Sequence, residues 1–244
     1  MNNLFQHAWV SSPERLAVAV IVTVGFAALA RIIRGVSRSG TIAGAASCFL
    51  LFAGGGPPAF ATLAVLFALT WISTRQGRGR KQALGLAERG DGRNARQVLA
   101  NLAVAAAASC AYAVTGGRLW LLAMTSALAE AAADTAASEI GQSRSQTAFL
   151  VTNWKRVAAG TDGGVTLAGS CAAAVAGVVI AVTAAAGGLV PWRQCWIPAA
   201  AGFAGMLVDS LLGATFQRKG WMSNEAVNLF GTLAAALAIL IFNP

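Results

Sequence analysis

Charge is scarce in this chain. Asp, Glu, Lys and Arg make up 11% of its 244 residues against 57% apolar, and mean hydropathy is +0.64. A soluble domain carries about 25% charged residues, so the composition points to a polytopic membrane protein. Histidine is scarcer still. The one residue of that type, His7, lies in the N-terminal tail, which leaves a histidine triad or a phosphohistidine mechanism without a candidate among the apolar segments. The four cysteines, Cys48, Cys110, Cys171 and Cys195, sit in apolar stretches without paired spacing, so neither a disulfide framework nor a thiolate metal site is indicated. No GxxxxGK[ST] run occurs, which excludes a Walker A loop.

What is present is a series of apolar segments: 16–30, 40–54, 58–73, 97–115, 119–137, 164–187, 194–213 and 224–242. Several are shorter than the roughly 20 residues of a perpendicular span. The second and third, joined by Gly54-Gly55-Gly56-Pro57-Pro58, fit a tight hairpin or two tilted partial spans. Ala28-Leu29-Ala30 resembles a signal-peptide cleavage motif, but Arg31, Arg34 and Arg38 follow directly and no soluble domain does, so the first segment reads as a retained anchor. The expected fold is all-α: one membrane bundle over residues 1–244, with about eight crossings.

The basic residues give the orientation. With the N-terminus outside, the inner loops hold Arg31, Arg34 and Arg38, then Arg75, Arg78, Arg80, Lys81, Arg89, Arg93 and Arg96, then Arg144, Lys155 and Arg156, then Arg218 and Lys219. Only Arg15, Arg118 and Arg193 fall outside. Fifteen of the 18 basic residues on one side is a strong positive-inside signal. It predicts both termini outside and loops 74–96 and 138–163 in the cytoplasm, in a protein of the inner membrane. The same distribution explains the net charge of +9 by topology and lipid headgroups, with no nucleic acid partner.

The acids are few and oddly placed. Of nine in the chain, Glu130, Asp134 and Glu139 lie in or against one apolar segment and Asp209 near the end of another. A carboxylate at membrane depth is costly unless something pairs with it. On a helix Glu130 and Asp134, four apart, share a face, with Thr135 and Ser138 as a neighbouring polar stripe. On the predicted map Asp134, Glu139, Asp162, Asp209 and Glu225 all come to the cytoplasmic side. Hard oxygen donors of this kind suit Mg2+, which is held by one or two carboxylates plus substrate phosphates. The competing structural reading, acids paired with buried arginines, is weakened because no arginine lies within the apolar interior of a span.

Two further stretches bear on phosphate. Gly160-Thr161-Asp162-Gly163-Gly164-Val165-Thr166 precedes an apolar helix, and successive glycines free backbone N–H groups to wrap an anion. A plain glycine turn with Thr161 or Asp162 as a helix cap explains it equally well. Upstream, Arg78-Gly79-Arg80-Lys81 and the run from Arg89 to Asn101 form a positive-inside loop whose Arg93, Arg96 and Asn101 enter the next segment at headgroup level.

Taken together, Arg80-Lys81, the run Gly92–Asn101, the run Ala133–Gly141, the loop Gly160–Thr166, the run Val208–Gln217 and Val227-Asn228 resemble, in order and over nearly the whole chain, one integral membrane family. It includes plant and cyanobacterial phytyl-phosphate kinase and the animal transmembrane protein nineteen. The Asp-Thr, Ala-Ser-Glu, Gly run followed by a lysine and a Gly-Thr loop is also similar to the layout of polyprenol and dolichol kinases, which use CTP. The resemblance implies a kinase that moves the γ-phosphoryl group of a nucleoside triphosphate, CTP by analogy, to an isoprenyl monophosphate such as phytyl or geranylgeranyl phosphate. It implies Mg2+ on Asp134, Asp209 and Glu139, and these with Lys155 as the catalytic set. The nucleotide would be held by Lys155, Arg156, Gly160, Thr161, Asp162, Gly163, Gly164 and Ser138. The lipid phosphate would be held by Arg80, Lys81, Arg93, Asn94, Arg96, Asn101 and Asn228. A CTP:lipid-phosphate cytidylyltransferase and a transporter of small anions are the rival classes. The transporter would need polar groups along a path through the bilayer, whereas the acids gather at one face.

Overall fold

The computed structural model describes residues 7–83, 85 and 90–242. Arg89 of the basic loop lies outside the described residues. Helices dominate: α1 (Pro13–Ile32), α2 (Arg38–Arg75), α3 (Arg78–Ala83), α4 (Ala95–Thr115), α5 (Leu119–Arg144), α6 (Leu167–Ala186), α7 (Trp196–Thr215) and α8 (Asn224–Phe242). Strands β1 (Thr147–Leu150), β2 (Arg156–Ala158) and β3 (Gly164–Val165) lie between α5 and α6.

Local chemistry sets the helix ends. Ser12 caps α1 by accepting from the Arg15 N–H, with Pro13 in the first turn, where its missing donor costs nothing. Asn94 and Gln97 form a reciprocal capping box at the start of α4, which ends at Gly116 in the left-handed conformation. Among the described residues six helices are long and apolar enough to cross a membrane: α1, α2, α4, α6, α7 with its flanking turns, and α8.

At 38 residues α2 is longer than one crossing needs. Its backbone leaves helical geometry at Gly56 (φ 67°), next to Pro57 and Pro58, which offer no N–H to the ladder. The chain doubles back there, because Thr41 near its start and Thr70 near its end line the same cavity as Arg93. The second and third apolar segments are therefore the two arms of a bent hairpin.

Helix α5 is the centre of the bundle. Glu130, Asp134 and Glu139 make it more polar than the other long helices, and it packs against α2, α4, α6, α7 and α8. Every residue from Leu121 to Ala133 is buried. Alanine at positions 127, 129 and 131–133 lets the neighbouring backbones approach closely. The helix runs on to Arg144, beyond the expected end at residue 137. Ser138 and Glu139 thus sit on its last turns instead of in a loop, and Glu139 ties that end to the Thr74 hydroxyl of α2 at 2.9 Å.

The sequence also gave no sign of the small sheet. Its order is β2-β1-β3, antiparallel throughout, with Thr147 opposite Ala158 and Phe149 opposite Val165. The sheet pins the glycine loop 159–163, which joins β2 to β3, against the end of the bundle.

Candidate functional site

A cavity of about 380 Å³ opens where α5, α7 and the glycine loop meet. Asp134 comes from α5, Asp209 from α7, Asp162 from the loop, Arg93 from just before the cap of α4, Asn101 from α4 itself, and Asn228 from α8. These residues are scattered over more than a hundred positions of chain, and the alternation of helix direction brings them to one end.

The loop is held in shape by backbone demands. Gly163 has φ 72°, and a Cβ there would run into the backbone of Ala214 on α7. Only glycine allows the loop to lie this close to the helix. The N–H groups of Gly160, Asp162 and Gly163 donate to no protein acceptor among the described residues. Unsatisfied donors around glycines form a concavity suited to an anion. Partial burial pushes the Asp162 carboxyl above its ordinary range, and the charge of Arg218 pulls it back down.

Asp134 and Asp209 face the same cavity, where Asp134 has Arg93 as its oppositely charged neighbour and Asp209 has Asp134 and Asp162 as like-charged ones. With its amide turned to donate, Asn228 reaches Asp209 Oδ2 at 3.3 Å and the Asn224 carbonyl at 3.0 Å. Among the described residues the Asp134 carboxylate accepts no hydrogen bond. Two hard carboxylates with spare lone pairs fit a divalent cation such as Mg2+. Among the described residues no three His, Cys, Asp or Glu side chains come close enough to cage a metal. The protein thus offers part of a coordination shell, the part that Mg2+ takes when phosphates complete it.

Glu130 lies deeper. It is 1% exposed, and both its carboxyl oxygens lack hydrogen-bond partners. Glycines 202, 205 and 231 of α7 and α8 close around it without side chains.

Several residues expected at the site do other work. Glu139 lines the cavity, but its carboxylate is taken up by the Thr74 hydroxyl and by a buried ion pair with Lys81. Lys81 is 1% exposed and also donates to the Thr74 carbonyl at 2.8 Å, so it is a structural clamp and not a phosphate ligand. Arg80 donates to the carbonyls of Ser143 and Ser145 at 3.1 and 2.8 Å, fastening α3 to the end of α5. Asn94 is spent capping α4. Arg96, Lys155 and Arg156 are exposed and do not line the cavity, and Arg156 lies over the Phe149 ring. Ser138 lines it with its hydroxyl donating to the Thr135 carbonyl. Gln97, Gln142, Thr166, Ser170 and Gln217 also line the cavity and were given no site role, although Gln97, Thr166 and Gln217 belong to the runs that carry the family resemblance. For Gln142 and Ser170 the signal in the sequence is only polarity near the ends of predicted spans.

A helical bundle with apolar flanks and a polar, acid-bearing cavity at one end defines an integral membrane protein with a built site. The chain belongs to the family described as integral membrane protein DUF92, which it matches over residues 21–236. It is 31% identical to an uncharacterised membrane protein of Methanocaldococcus jannaschii, over 93% of this chain and 94% of that one. It is 35% identical to an uncharacterised membrane protein of Synechocystis, over 68% of this chain and 67% of the relative. It is 30% identical to Protein VTE6, chloroplastic, of Arabidopsis thaliana, over 86% of this chain and 66% of the plant protein. No solved structure matches it significantly.

Proposed function

We propose that the protein is a membrane kinase that transfers the γ-phosphoryl group of a nucleoside triphosphate, CTP by family analogy, to an isoprenyl monophosphate, giving the diphosphate. One observation carries the reading: carboxylates from α5 and α7, an unsatisfied glycine-loop backbone and Arg93 all line a single cavity. The motif resemblance supports the reaction class. Asp134, Asp162 and Asp209 gather at one end and Glu130 alone lies deeper, sealed by glycines instead of opening onto a path through the bundle, which favours an enzyme over a transporter.

In this reading an oxygen of the acceptor phosphate forms a bond to the γ-phosphorus while the bond from that phosphorus to the β-bridging oxygen breaks. The nucleoside diphosphate leaves with the electron pair. The acceptor is already ionised, so no general base is needed, and the work is alignment and charge neutralisation. Mg2+ held by Asp134 and Asp209 would supply charge neutralisation on the nucleotide phosphates. The N–H groups of Gly160, Asp162 and Gly163 hold the nucleotide phosphates, and Asn228 keeps the Asp209 carboxylate oriented. Arg93, donating at 3.4 Å to Thr135 Oγ1 beside Asp134, neutralises the acceptor. Eight crossings with both termini outside, and the cavity on the cytoplasmic side, complete the proposal.

The test is product analysis on purified protein supplied with geranylgeranyl or phytyl phosphate, Mg2+ and each nucleoside triphosphate. Lipid diphosphate with released nucleoside diphosphate is expected. Pyrophosphate with a nucleotidyl-lipid would replace the kinase by a cytidylyltransferase, and no lipid-dependent turnover with any nucleotide would remove the enzyme.

A further inference from the structure

Two more cavities adjoin the acid-lined one, and Arg93 lines all three. The first is a vestibule of about 220 Å³ lined by Arg34, Arg75, Arg78 and Arg93, with no carboxylate in its wall among the described residues. Arg75 is set in place by neutral groups: it stacks 3.8 Å from the centre of the Trp71 ring and donates to the Ile33 carbonyl at 3.1 Å. Arg93 is fixed through its backbone, whose N–H bonds to the Gly35 carbonyl at 3.2 Å and whose carbonyl accepts from the Ser37 N–H at 2.9 Å. Arg93 already has the Asp134 carboxylate as a charged neighbour, whereas Arg34, Arg75 and Arg78 are exposed and face a wall without a carboxylate, and their forked donors match phosphate oxygens.

The second is an apolar slot of about 80 Å³ under α1, walled by Phe26, Leu63, Leu66, Phe67 and Leu102. Phe67 and Thr70 are common to slot and vestibule, while Asn101 is common to slot and acid-lined cavity. Two polar atoms at these junctions are buried without partners, Thr70 Oγ1 and Asn101 Oδ1, and Asn101 is only 6% exposed. A basic pocket among transmembrane helices, opening onto an apolar slot, fits an anionic lipid head with its attached chain.

We propose that vestibule and slot form one seat for the acceptor lipid, with its phosphate among Arg34, Arg75 and Arg78 and its first isoprenyl unit in the slot. This rests on the kinase reading for the lipid's identity, and it moves the lipid phosphate from Arg80 and Lys81 to three other arginines. Arg93 stands between the seated phosphate and the carboxylates, where the acceptor oxygen must meet the nucleotide. The slot takes only the start of the chain; the remainder lies in the bilayer.

The test uses the full-length protein in detergent and reads binding of geranylgeranyl phosphate directly by thermal stabilisation, beside the apparent KM of each substrate. The double variant R75Q/R78Q alters exposed side chains. It should weaken geranylgeranyl phosphate binding at least about tenfold and leave the nucleotide KM within about twofold. A Cβ at Gly44, which lines the slot, meets nothing within 4 Å, so Gly44→Leu fills the slot without a backbone clash. It should weaken binding of the lipid phosphate and leave the response to inorganic phosphate unchanged. Binding of the lipid phosphate without turnover, still lost in R75Q/R78Q, would sink the kinase reading and uphold the seat. Wild-type binding left intact by R75Q/R78Q, no binding by the wild type, or inorganic phosphate competing as well as the lipid would overturn the seat.

Discussion

Replacing Lys81 by Met should unfold part of the bundle's end, not disarm the site. The ion pair it makes with Glu139 is shielded, with side chains 1% and 12% exposed, so water screens it little. Removing one member of such a pair costs about 3–5 kcal/mol, mostly because the other charge is left buried. Here Glu139 keeps the Thr74 hydroxyl at 2.9 Å, which places the expected loss near the lower end, about 3 kcal/mol. The double variant Lys81→Met/Glu139→Leu removes both charges and should recover most of that, leaving a coupling of about 2 kcal/mol. Unfolding curves of wild type, both single variants and the double in detergent give the cycle. Apparent KM for the lipid phosphate, corrected for folded fraction, should stay unchanged in Lys81→Met. Stability within about 0.5 kcal/mol of wild type, together with a lipid KM raised about tenfold, would show a free ammonium on the substrate and refute the clamp.

Two further outcomes follow from the geometry. A Cβ at Gly231 would lie 2.5 Å from Glu130 Oε1 and 3.2 Å from the Asp209 Cβ, so Gly231→Val should cost about 1–3 kcal/mol and lower turnover more than it lowers expression, read by unfolding and by initial rates. Lys155 is exposed and off the cavity, so Lys155→Ala should change the nucleotide KM by less than about twofold in steady-state assays; a tenfold rise would return it to the nucleotide.

Much of the fold was legible because its signals are local. Apolar runs and the basic bias located the helices, and the Gly56-Pro57-Pro58 break marked the bend of α2. The candidate site was legible in the carboxylates and glycines that line the cavity, Asp134, Asp209, Asp162 and the run 160–164, which have few uses inside an apolar bundle, but not in Glu139, which pairs with Lys81. Of its cations only Arg93 was legible; the others expected there, Arg80, Lys81, Arg96, Lys155 and Arg156, lie elsewhere. A lysine or arginine in a loop looks the same in sequence whether it clamps two helices, as Lys81 and Arg80 do, or lines a cavity, as Arg75 and Arg78 do. That choice is made by the packing of α3 on α5 and by the contact of loop 90–93 with residues 34–37, both set by long-range contacts. The three-stranded sheet escaped for a related reason: its strands are two to four residues long, too short to show an alternating pattern.

If the carboxylates on α5 and α7 serve phosphoryl transfer to a lipid phosphate, transfer fails without either of them. The most direct measurement is transfer of label from γ-labelled CTP to geranylgeranyl phosphate by reconstituted wild type, Asp134→Asn and Asp209→Asn, with folding checked by size-exclusion profile. Labelled lipid diphosphate is expected from the wild type, with a fall of about a hundred- to a thousandfold in each folded variant. Near-normal transfer in either variant would contradict that role.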